Sequence, residues 1–86
     1  MNKFKFSVLT LNGTVFEDRV EKVVISTTNG EITILKNHIP LITTTTKGRL
    51  VIFKDSEVIE HSTNEGLLKI NREETILMSE KLRNLK

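Results

Sequence analysis

The chain contains no alanine, while Val, Ile and Thr fill 27 of its 86 positions. Side chains branched at Cβ are stiff at χ1 and suit a pleated sheet, and the residue that best tolerates a helix is missing. An all-β fold follows. Its punctuation is regular: Gly13, Gly30, Gly48 and Gly66 lie 17, 18 and 18 residues apart, each after a polar residue. No other residues recur between them, so the spacing reflects hairpins of similar length rather than a repeat. Strand-like runs are Lys3–Thr10, Thr14–Glu17, Val20–Thr28, Gly30–Leu35, Leu41–Thr46, Arg49–Lys54, Glu57–Thr63, Gly66–Asn71 and Thr75–Ser79. The expected architecture is a small antiparallel β-sandwich or flattened barrel of roughly nine to ten short strands over residues 1–79. Residues 80–86 read as a short basic tail or a single helical turn capped by Ser79, with Leu82 and Leu85 on one face.

Charge is unevenly placed. The formal net charge is +2, and Glu80 to Lys86 carry three basic groups and one acid. The remaining 79 residues balance at ten of each sign, which gives no long-range attraction to polyanions. The absence of cysteine excludes disulfide staples and thiolate metal sites. No apolar run approaches the ~20 residues a membrane-spanning helix needs. Nor does an apolar signal segment follow Met1-Asn2-Lys3. A soluble, intracellular single domain is expected.

Catalytic chemistry is poorly supplied. His61 and Ser62 are chain neighbours, so in a strand they face opposite ways and cannot act as base and nucleophile. His38 and His61 have no companions at metal-ligand spacing, and the isolated glycines form no phosphate cradle. No catalytic residue, cofactor or metal is expected. Lys3-Phe4-Lys5-Phe6 could present stacking aromatics between cations, as in a small β module that binds single-stranded nucleic acid or a peptide. The plainer reading puts the phenylalanines in the core and the lysines in water. Two segments attract more attention. Asn29-Gly30-Glu31 sets a carboxylate at a tight turn, and Asn37-His38-Ile39-Pro40-Leu41 shows apolar side chains around a rigid proline.

From this loop outward the sequence resembles the epsilon subunit of F-type ATP synthases, in its N-terminal β-sandwich. The resemblance runs through Phe16, Val20-Glu21-Lys22-Val23, Gly30-Glu31-Ile32-Thr33-Ile34, His38-Ile39-Pro40-Leu41-Ile42-Thr43, Lys47-Gly48, Asn64-Glu65-Gly66-Leu67-Leu68-Lys69-Ile70 and Thr75-Ile76-Leu77. Thr33, Lys36-Asn37, Ile39, Lys47 and Glu65 depart from the family pattern; the lost glycines imply either φ < 0 geometry or a locally different turn, and the left-handed region stays open to Asn37.

The resemblance implies a non-catalytic rotor subunit that joins the gamma subunit to the membrane c-ring. It implies a ring-facing group of Asn29, Gly30, Glu31 and Ile32. It also implies a gamma-facing group of Thr10, His38, Ile39, Pro40, Leu41 and Thr43. Further implications are a monomeric isolated domain and membrane association only through the complex, on the cytoplasmic side of a bacterial plasma membrane. No nucleic-acid partner is implied. Family members continue into a C-terminal helical hairpin, so this chain reads as a short form.

Overall fold

A computed structural model describes residues 2–79. It contains eight strands among the described residues: β1 (Phe4–Thr10), β2 (Gly13–Val20), β3 (Lys22–Thr27), β4 (Gly30–Ile34), β5 (Leu41–Lys54), β6 (Glu57–Thr63), β7 (Gly66–Ile70) and β8 (Glu74–Ser79). They join in the order β2-β1-β8-β7-β5-β3-β4, with β6 added on β5. The described part measures 31 × 25 × 20 Å. A tail at residues 80–86 lies outside the described residues.

The sheet wraps around one core because alternate residues of its strands are apolar. Phe4, Phe6 and Val8 of β1 meet Val23 and Ile25 of β3, Leu50 and Ile52 of β5, Leu68 and Ile70 of β7, and Leu77 of β8. Val20 and Ile34 complete the cluster, and Phe16, Ile32 and Ile59 pack against its margin. Phe6 and Phe16 sit 6.0 Å apart between centroids at 53°, a tilted pair of the kind aromatic quadrupoles favour. Strands that are linked edge to edge yet share one core must fold over on themselves, which makes the sandwich.

The fold-over happens within β5. Its first half pairs with β7 from Leu41↔Ile70 to Thr45↔Gly66. Its second half pairs with β6 from Gly48↔Thr63 to Lys54↔Glu57 in the same register. Thus β5 with β6 and β7 is one long hairpin bent at Thr46-Lys47 and Asn64-Glu65. On the other edge of β5, Ile25 pairs with Leu50 but Thr27 pairs with Thr45, so residues 46–49 bulge opposite Ser26. Hydrogen bonds hold the corner: Thr45 Oγ1 and Thr63 Oγ1 donate to Asn64 O at 2.8 and 3.3 Å, and Arg49 N donates to Ser26 Oγ at 3.2 Å.

Three sequence expectations are corrected here. The runs at Leu41–Thr46 and Arg49–Lys54 are one bent strand, because the glycine between them permits a bend rather than a turn. The expected unit Val20–Thr28 breaks at Glu21, where the chain passes from β2 to β3 and Glu21 N donates to Phe53 O at 2.9 Å. The merger within β5 takes the nine expected runs to eight, while the break at Glu21 only moves Val20 into β2. The sandwich is also not wholly antiparallel, since β1 and β8 run parallel from Lys5↔Glu74 to Leu9↔Met78.

Candidate functional site

The first surface is the β3–β4 hairpin. Gly30 has φ +106°, which an L side chain rarely adopts, so this turn needs glycine there. Thr27 Oγ1 closes the turn by donating to Gly30 O at 2.6 Å and accepting from Asn29 N at 3.1 Å. Asn29, Gly30 and Glu31 are exposed and lie together, with Ile32 turned toward the core margin.

The Glu31 carboxylate is already engaged. Arg49 Nε donates to Oε2 at 2.9 Å and Nη2 to Oε1 at 3.5 Å, a forked pair that suits guanidinium geometry. Arg49 Nη1 also stands 3.8 Å from Glu60 Oε2. The Arg49 hydrogen bond holds Glu31 below the usual carboxylate range, and Glu31 in turn raises Arg49. Arg49 and Glu60 carry no signal in the sequence, because they meet Glu31 only through the β4–β3–β5–β6 register.

The second surface is the outer face of β5, β7, β8 and β1. Cross-strand pairing sets Thr44, Leu67, Met78 and Leu9 in one row, and Ile42, Lys69, Ile76 and Ser7 in the next. Ile42 is 65% exposed and Leu67 40%. Leu9, Leu11 and Met78, with Thr10 and Ser79, line an open hollow of about 410 Å3 at one end of this face. The face has a sequence signature that alternation alone passes over. Val8-Leu9, Leu41-Ile42, Leu67-Leu68 and Leu77-Met78 are adjacent apolar pairs, and a strand must turn one member of each outward.

The residues expected on the gamma side border this face without forming one cluster. Leu41 is level with Ile70, Thr75 and Phe6, whereas Thr10 stands four residues farther along β1. His38 to Leu41 thus occupy one end of the face and Thr10 the other. Asn37 has φ 66°, so of the alternatives left open for it the left-handed one is adopted, and Asn37 N donates to Arg72 O at 2.9 Å. His38 Nδ1 donates to Ile39 O at 2.7 Å, which orients the ring, while Ile39 is 68% exposed. Thr43 pairs with Leu68 and shares its inward side. The Thr10 hydroxyl is spent locally, accepting from Asn12 N at 3.2 Å and donating to Gly13 O at 3.4 Å.

The N-terminal strand offers no aromatic platform. Phe4 and Phe6 are buried at 2% and 0% exposure, Lys3 is paired with Asp55 at 2.6 Å, and Lys5 with Glu17 at 2.9 Å. His61 pairs with Leu50 and Ser62 with Arg49, so the two side chains leave opposite faces of β6. No helix among the described residues is long and apolar enough to cross a membrane.

Comparison with known proteins bears on the family and the fold. Over 40 residues, 46% of this chain, it is 48% identical to the ATP synthase epsilon chain of Caldanaerobacter subterraneus subsp. tengcongensis, covering 29% of that protein. Over 37 residues, 43% of this chain, it is 51% identical to the chloroplastic epsilon chain of Atropa belladonna, covering 28% of it. In structure it resembles a chain of the Euglena gracilis mitochondrial ATP synthase, with a TM-score of 0.86 at 13% identity, over 94% of this chain and 52% of that one. A chain of the Tetrahymena thermophila mitochondrial ATP synthase central stalk and c-ring gives 0.78 at 13% identity, over 95% and 66%. The matched segments thus span less than a third of these curated relatives, and this chain two thirds or less of the structural ones. The family model for the β-sandwich domain of the ATP synthase delta/epsilon chain matches residues 3–84, and the chain belongs to that family.

Proposed function

We propose that this chain serves as the sandwich of an epsilon subunit in the rotor of an F-type ATP synthase, joining the gamma subunit to the membrane c-ring. It is a non-catalytic part, and the chemistry of synthesis belongs to other subunits. The observation that carries the reading is the family match over residues 3–84. Two unlike surfaces fit a bridging role. The apolar outer face of Leu9, Ile42, Leu67, Ile76 and Met78, with Ile39 beyond it, suits a large, dry contact with gamma. His38, Pro40, Leu41, Thr43 and Thr10 border that contact, and Pro40 lowers the cost of ordering the loop. The Asn29–Ile32 hairpin with its Glu31 carboxylate suits the polar loops of a ring. The chain then meets the membrane only through the complex, and in a bacterium it lies on the cytoplasmic side.

Substitution separates the two contacts. Ile42→Asp puts a charge into the apolar contact without touching the core, and it should weaken co-purification with gamma by about tenfold or more. Circular dichroism should stay unchanged. Undiminished binding by the folded variant would refute the gamma-facing assignment. Glu31→Lys should lower ATP-driven proton pumping by the assembled complex, and unaffected pumping would refute the ring-facing one.

A further inference from the structure

Arg49 follows the bend of β5, and its backbone is fixed there by the bond from its N–H to Ser26 Oγ. From this base its side chain reaches across β3 to Glu31 at 2.9 Å, with Glu60 of β6 at 3.8 Å on its other flank. The side chains of Glu31, Arg49 and Glu60 are 44%, 54% and 61% exposed. One guanidinium thus stands between two carboxylates in water, and the cluster carries a net charge of −1. Ion pairs this exposed to water are weak, so the guanidinium can change seats at little cost.

We infer that Arg49 is an internal counter-ion that competes with a cationic group of the partner for Glu31, with Glu60 as its second seat. The inference rests on the reading of Glu31 as ring-facing. A partner loop carrying a lysine or arginine fits this cluster. Its cation takes Glu31, Arg49 turns to Glu60, and the four charges then alternate in sign. An uncharged loop gains nothing from displacing Arg49, and an anionic loop meets the net negative charge. Arg49 therefore determines specificity by setting how strong a cation the hairpin requires.

The test is association of the full chain with its parent ATP synthase complex stripped of this subunit, followed across a salt titration. Arg49→Met leaves both carboxylates open, so binding should tighten about two- to fivefold and fall more steeply with salt. Glu60→Gln removes the second seat and should weaken binding by a similar factor. Arg49→Lys keeps the charge and should stay near wild type, with circular dichroism verifying the fold of each variant. Binding that is unchanged or weakened in Arg49→Met overturns the competitor role. Glu31→Gln tests the underlying reading separately. If it leaves both association and proton pumping unchanged, the hairpin is not ring-facing, whatever Arg49 does.

Discussion

Thr75 sits in β8 between Phe6 of β1 and Ile70 of β7, 1% exposed, and among the described residues its hydroxyl has no hydrogen-bond partner. A buried hydroxyl left unsatisfied loses its hydration for no return. Thr75→Val keeps the branched shape and removes the unsatisfied group. It should raise stability by about 1 kcal/mol, read from the urea midpoint at unchanged slope. The sequence conceals this cost, because Thr75 differs from a core valine only by an oxygen whose burial depends on two other strands. Arg49 is hidden for a related reason: it and Glu31 are 18 residues apart, and only the strand register brings them together. By contrast, the alternation of Phe4, Phe6 and Val8 is a local property and legible from the sequence.

At the level of elements, Gly48 and Gly66 flank the bend in the long hairpin and make close backbone approaches possible. A Cβ on Gly48 would lie 2.6 Å from Ser26 Cβ. One on Gly66 would strike the carbonyl oxygen of Met78 and lie 3.2 Å from Ser79 Cα. Backbone atoms cannot rotate aside, so Gly66→Ala must part β7 from β8. We expect it to cost about 1–3 kcal/mol in chemical denaturation. A cost within a few tenths of a kcal/mol would mean that the sheet gives way more easily than the packing implies. Both glycines stand out in the sequence, yet as turn signals they divide β5 in two. Nothing local distinguishes a glycine that ends a strand from one that lets a neighbouring strand come near. Likewise, a parallel pairing of β1 and β8 joins segments at opposite ends of the described chain, beyond the reach of any local pattern.

Across the whole molecule, ion pairs tie the chain start and the β2 end to the β5–β6 turn: Lys3 to Asp55, and Lys54 to Asp18, each at 2.6 Å. The hydrogen bond from Lys54 holds Asp18 below the usual carboxylate range. Its folded pKa is therefore lower than its unfolded one. The contribution to stability is complete above the ordinary aspartate value and disappears as pH falls through the folded value. Asp18→Asn should lower the thermal midpoint at neutral pH, and the two proteins should converge in acid. Parallel curves over that range would show that Asp18 does not act through its charge.

The bend of β5 also has a mechanical meaning. Because one backbone belongs to both layers, and the ladders to β7 and β6 keep one register on either side of the corner, the sandwich has no slip plane. One layer cannot shear across the other without breaking ladder bonds on either side of the corner. In the proposed rotor, torsional compliance would then lie in the partners and their contacts, while this body turns as a single rigid piece.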